Sequence, residues 1–84
     1  MRINGLDLTP FSKRERTVLV ALGLYSPGQL TLQDLIEYVY PDPDMEPDTS
    51  ANVITKVIQT LRGKLVGWRI ANRSHRGYTL ERAE

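Results

Sequence analysis

The sequence predicts an α+β domain of three helices followed by a C-terminal β-hairpin, and three observations predict it. Apolar residues recur at helical spacing in three separate runs, two of those runs open on a Ser or Thr with an acid three residues on, and after Trp68 the period changes to alternation. The first helix begins at Ser12-Lys13-Arg14-Glu15, where Ser at N-cap and Glu at N3 can satisfy each other's free amides in a capping box. Phe11, Val18, Leu19 and Leu22 mark its buried face, and Ser26-Pro27-Gly28 stops it, giving a helix over about 12–24. Thr31-Leu32-Gln33-Asp34 repeats the cap, and Leu32, Leu35, Ile36 and Val39 mark one face until Pro41, giving a second helix over about 31–40. Residues 41–48 contain three prolines among four acids, which predicts a stiff acidic loop without regular structure.

The third helix, about 49–65, shows the longest periodicity. Ile54, Ile58, Leu61 and Leu65 fall at i, i+4, i+7 and i+11 with Val53 and Val57 beside them. From Trp68 to Leu80, Trp68, Ile70, Tyr78 and Leu80 alternate with polar residues around the loop-forming stretch Asn72 to Gly77. This is a hairpin whose tip holds Arg73, Ser74, His75 and Arg76, with Trp68 and Tyr78 in its core. A lone two-stranded hairpin is marginal, so it must dock on the helices, and Gln29-Leu30 is a candidate short third strand. Residues 1–10, with Ile3, Leu6 and Leu8, leave an N-terminal arm and a short strand equally open ahead of a domain over residues 11–82.

Composition narrows the function. Eighty-four residues with no cysteine must fold on a small core without disulfides or thiolate metal sites. No apolar run approaches the roughly 20 residues of a membrane span, and the first residues lack a signal-peptide core, so a cytoplasmic protein without membrane contact is expected. With one His, no Cys and no glycine-rich phosphate loop, the chain offers neither an activated nucleophile nor a metal cage. An enzyme is not expected, and neither is a cofactor. Asp42, Asp44, Glu46 and Asp48 imitate the ligand spacing of a calcium loop, but Pro47 stands where its turn glycine is required and Val53 where its bidentate carboxylate should be.

The net charge of +1 conceals segregation. Between Ser26 and Asp48 there are six acids and no base, and between Thr49 and Leu80 six bases and no acid. A basic face of that kind is the electrostatic footprint of nucleic-acid binding, although a merely solvated basic surface has the same composition. The outward side of the third helix retains Asn52, Thr55, Lys56, Gln59, Thr60 and Arg62, donors and acceptors of the kind that reach base edges and phosphates.

Helix, turn, helix, acidic loop, long helix and basic hairpin is the plan of a winged helix-turn-helix, three helices plus a C-terminal β-hairpin wing. The segment Phe11 to Leu80 resembles the DNA-binding effector domain of OmpR/PhoB-type response regulators. The resemblance is carried by Phe11-Ser-Lys-Arg-Glu-Arg-Thr-Val-Leu-Val-Ala-Leu22, Pro27-Gly-Gln-Leu-Thr-Leu-Gln-Asp-Leu35, Ile58-Gln-Thr-Leu-Arg-Gly-Lys-Leu65 and Gly77-Tyr-Thr-Leu80, in the family's order. It implies a DNA-binding transcriptional regulator with the third helix in the major groove, the wing on phosphates or in the minor groove, and Ser12, Lys13 and Arg14 on the DNA backbone. It also implies that the loop holding Asp42, Asp44, Glu46 and Asp48 contacts RNA polymerase or another regulator. The chain departs from the family in three ways. It starts about ten residues before the first helix, which suggests a stand-alone effector. The wing arginine falls on Ser74, so Arg73, His75 or Arg76 would substitute. The third-helix positions that usually carry arginine before and after the leucine are Thr60 and Arg62, so a different DNA sequence would be read. Double-stranded DNA is the expected partner, with dimers or tandem binding at real operators; a protein-interaction module on the same scaffold is the alternative.

Overall fold

The computed structural model describes residues 2–3, 5–26, 28–72 and 77–83, the first two by backbone only. The order of elements is β1 (Arg2–Ile3), β2 (Leu6–Asp7), α1 (Lys13–Tyr25), α2 (Leu32–Val39), α3 (Ser50–Lys64), β3 (Trp68–Asn72) and β4 (Tyr78–Arg82). Three helices followed by a two-stranded antiparallel hairpin make an α+β layout compatible with a winged helix. β1 and β2 pair with Arg2 opposite Asp7 and Ile3 opposite Leu6, so a short hairpin forms in the segment the sequence left undecided. Leu6 and Leu8 are buried in the same core as the helices.

Both capping boxes form. In α1 the Ser12 backbone N–H donates to Glu15 Oε1 at 2.8 Å and the Glu15 N–H donates to Ser12 Oγ at 3.3 Å. In α2 Thr31 N–H donates to Asp34 Oδ2 at 3.0 Å, and Asp34 N–H returns to Thr31 Oγ1 at 3.1 Å. α3 starts differently, because Thr49 makes no side-chain cap bond and the first turn carries no acid. The core gathers the predicted stripes: Val18, Leu19 and Leu22 of α1, Leu35 and Ile36 of α2, and Ile54, Ile58 and Leu61 of α3, closed by Ile70 and Leu80 of the hairpin. Ile70 and Leu80 face each other across the β3–β4 ladder, and half-buried Trp68 and Tyr78 pack beside them, as the alternation predicts.

Two expectations need correction. The proline-rich loop is not wholly irregular: Pro43–Met45 form a 3₁₀ turn, since Pro suits the first position of a helical turn and Asp42 Oδ1 accepts from Asp44 N–H at 3.0 Å. The third strand at Gln29-Leu30 shrinks to one bridge, in which Leu30 and Tyr78 exchange two backbone hydrogen bonds of 2.9 and 2.7 Å. Gly63 does not interrupt α3, which continues through it to Lys64 and ends with Leu65 N–H donating to Leu61 O.

The Leu30–Tyr78 bridge depends on Gly77. Its φ is +107°, and a Cβ there would stand 2.2 Å from the Leu30 carbonyl oxygen. Only glycine admits both the dihedral and the approach.

Candidate nucleic-acid interface

The outward face of α3 follows from its inward one. Shifting the inward set, buried Ile54, Ile58 and Leu61 with half-buried Leu65, back by two residues turns it by about 200° and yields Asn52, Lys56, Gln59 and Gly63. These four form one stripe opposite the core, all exposed. A Cβ at Gly63 would meet nothing within 4 Å, so this end of the stripe is open to close approach by another molecule. Thr60 is exposed at its edge. Thr55 is half-buried and its hydroxyl donates to the Ala51 carbonyl at 2.8 Å, which leaves it less available than its neighbours.

The start of α1 reaches the same face. Ser12, Arg14, Lys56 and Thr60 line one shallow hollow of about 280 Å³ between α1 and α3, so two of the three residues expected at the first helix start meet two of those expected on the third helix. Lys13 lies one hollow further round, where Arg14 also contributes and its guanidinium carbon stands 5.9 Å from the Tyr40 ring centroid. At the base of the α1–α3 hollow is Glu15, 6% exposed. Lys64 Nζ donates to both of its carboxylate oxygens at 3.1 Å, joining the beginning of α1 to the end of α3. The Glu15 carboxyl is held below its ordinary pKa, mainly by the Ser12 backbone N–H and then by Lys64, with burial opposing them. No uncompensated negative charge therefore faces the hollow from Glu15.

The basic block is only partly free to meet an anion. Lys64 is engaged by Glu15, Arg62 Nε donates to the Ile70 carbonyl at 3.1 Å, and Arg69 Nε pairs with Glu81 Oε1 at 2.7 Å. Arg62 thus fastens α3 to β3, a structural role beside the groove contact expected of it. Lys56 has no described acidic partner. The wing residues Arg73, Ser74, His75 and Arg76 lie outside the described residues.

The acids sit apart from each other. Asp42, Asp44 and Asp48 are exposed, while Glu46 is half-buried and accepts from Ser50 Oγ at 3.0 Å. Among the described residues no group of three or more acidic or His side chains could hold a metal ion. Asp48 precedes the first turn of α3, so a polyanion on this helix meets repulsion at its start and attraction along its middle and end. No helix among the described residues is long and apolar enough to cross a membrane.

Sequence reasoning missed two parts of this surface. Lys64 was counted among free bases, and nothing local announces a partner 49 residues away. The second is a groove at the far end of α1 containing Tyr25 and Tyr38, whose only signal was two aromatics lying off the apolar stripes of their helices. Comparison with protein-family models, curated proteins and solved structures finds no match for this chain.

Proposed function

We propose that the protein is a sequence-specific, double-stranded-DNA-binding transcriptional regulator of the winged-helix kind. In this reading α3 lies in the major groove, with Lys56 on phosphate and Gln59 and Thr60 at base edges, and Ser12 and Arg14 hold the DNA backbone. Arg73 and Arg76 of the wing contact phosphates or the minor groove. The observation that carries the reading is the acid-free stripe Asn52, Lys56, Gln59 and Gly63, which points away from the core and is continuous with the Arg14 hollow. The resemblance to OmpR/PhoB-type effector domains supports it, and binding as dimers or in tandem follows from the few contacts one copy offers.

Fluorescence anisotropy of a random-sequence duplex tests this at about 50 mM and about 200 mM salt. Neutralisation of about four phosphates predicts a roughly hundredfold loss of affinity between the two. Lys56→Ala should lower the log–log salt slope by about one, and an Arg73→Ala/Arg76→Ala pair by more, whereas Gln59→Ala should change sequence preference. Absence of binding at the lower salt defeats the proposal. The second reading, a protein-interaction module, is favoured by Asp48 at the entrance of α3 and by the other acids of that block, and would be pursued on that outcome.

A further inference from the structure

The end of α1 opposite the candidate DNA face carries a second site of different chemistry. A groove of about 550 Å³ between α1 and α2 is lined by Tyr25, Gln29, Asp34, Glu37, Tyr38 and Pro41 over a floor of Leu30. Tyr25 and Tyr38 meet edge to face, with ring centroids 6.3 Å apart and planes at 86°. They are 51% and 40% exposed, and Leu24, next to Tyr25, is 67% exposed. Adjacent exposed aromatic and aliphatic side chains on a small domain mark a contact surface.

The groove is also preorganised. Leu30 is buried and held by its two backbone bonds to Tyr78. Asp34 is fixed by the α2 capping box, and Tyr38 is braced edge to face against Tyr25. Its described lining includes two carboxylates and no base, and the block from Ser26 to Asp48 that supplies them has none. Glu37 is exposed and has no described cationic partner. Among the described residues, Lys13 and Arg16 line a separate hollow that shares Tyr38 with the groove and includes neither Asp34 nor Glu37.

We infer that this groove docks an extended, arginine-bearing segment of a partner protein, its guanidinium held between Glu37, Asp34 and the tyrosine rings. Charge complementarity selects the occupant: a planar cation gains from a carboxylate and from an aromatic face together, and Tyr and Arg are the residues enriched where proteins meet. Nucleic acid is repelled by the same carboxylates. The groove opens to solvent, which suits a chain laid across it, and it shares Tyr38 with the hollow lined by Lys13 and Arg16. The inference does not rest on DNA binding.

The test uses the ¹⁵N-labelled full chain titrated with acetyl-Gly-Arg-Leu-Arg-Gly-amide to about 10 mM, followed by amide chemical shifts. The expected result is saturable shifts confined to Gln29, Leu30, Glu37 and Tyr38, with none from the peptide in which both Arg are Glu. Glu37→Gln should weaken binding about threefold to fivefold, as expected for a partly exposed charge pair. That variant and Tyr38→Ala should leave the DNA anisotropy titration unchanged, so failure here is distinguishable from failure of the DNA reading. The inference is overturned by absence of saturable groove shifts, by equal affinity for L-arginine amide alone, which would make this a small-cation site, or by unchanged peptide affinity in both variants.

Discussion

α1 and α3 are opposite solutions to the problem of ending a helix. α1 closes its first turn completely, with a hydroxyl on one amide, a carboxylate on another, and that carboxylate buried against a lysine from α3. α3 begins on Thr49 with no side-chain cap and turns its Asn, Lys and Gln outward. The difference separates a helix start whose capping groups have internal partners from a helix face whose Asn52, Lys56 and Gln59 are left for something else. Among the described residues no buried side-chain polar atom lacks a hydrogen-bond partner, so the scaffold is internally complete. Stability and function should accordingly respond to different substitutions.

The largest stability effect is expected at Gly77→Ala, which meets both the positive φ and the Leu30 carbonyl. A loss of roughly 2–5 kcal/mol is expected, read as a thermal midpoint lowered by about 10 °C or more. A midpoint within a few degrees of wild type would mean that the hairpin is not locked to the helices there. Next is Glu15→Gln, which loses the ion pair and weakens the cap. The cost should be about 2 kcal/mol, less than for a fully buried pair because Lys64 is half exposed.

This second effect carries a pH signature. Because the folded-state pKa of Glu15 is lowered, the carboxylate contributes stability above the unfolded carboxyl value near pH 4, and that contribution is lost as pH falls through the folded value. The gap between wild type and Glu15→Gln, measured by urea denaturation, should be full above the unfolded carboxyl value and close as pH falls through the lower folded value. A gap independent of pH would contradict the charge-based account.

Thr31→Ala removes one exposed cap and should cost about 1 kcal/mol, whereas Thr49→Ala should change stability by less than about 0.5 kcal/mol. Equal losses at the two positions would erase the contrast between the helices. At the bottom of the stability scale come Lys56→Ala and Gln59→Ala, each within about 0.5 kcal/mol of wild type by chemical denaturation. Both should nonetheless alter DNA binding, Lys56→Ala in its salt slope and Gln59→Ala in its sequence preference.

The scaffold was largely legible in the sequence because its rules are local. Ser12 with Glu15, and Thr31 with Asp34, are three residues apart, and the stripes of α1, α2 and α3 lie within single helices. The alternation around Ile70 and Leu80 likewise needs only neighbouring residues. What was not legible is contact across the chain. Lys64 meets Glu15, Arg62 meets the Ile70 carbonyl, and Tyr25 meets Tyr38 because of how the helices pack, and none of these pairings has a periodicity to announce it. The outward set on α3 was readable by subtraction from the core stripe. Its continuity with Arg14 was not, since it depends on the α1–α3 approach.

The two hydrogen bonds between Leu30 and Tyr78 tie together segments that enclose all of α2, the proline-rich turn, α3 and β3. Such a tie is non-local, and closing it requires the intervening chain to be compact already, since the entropy of a long loop must be overcome first. It works as the clasp of a ring, fastened after the helices have assembled. The Leu30 and Tyr78 amide hydrogens therefore report on the order of assembly: in pulsed hydrogen exchange they should gain protection later than the amides of α1.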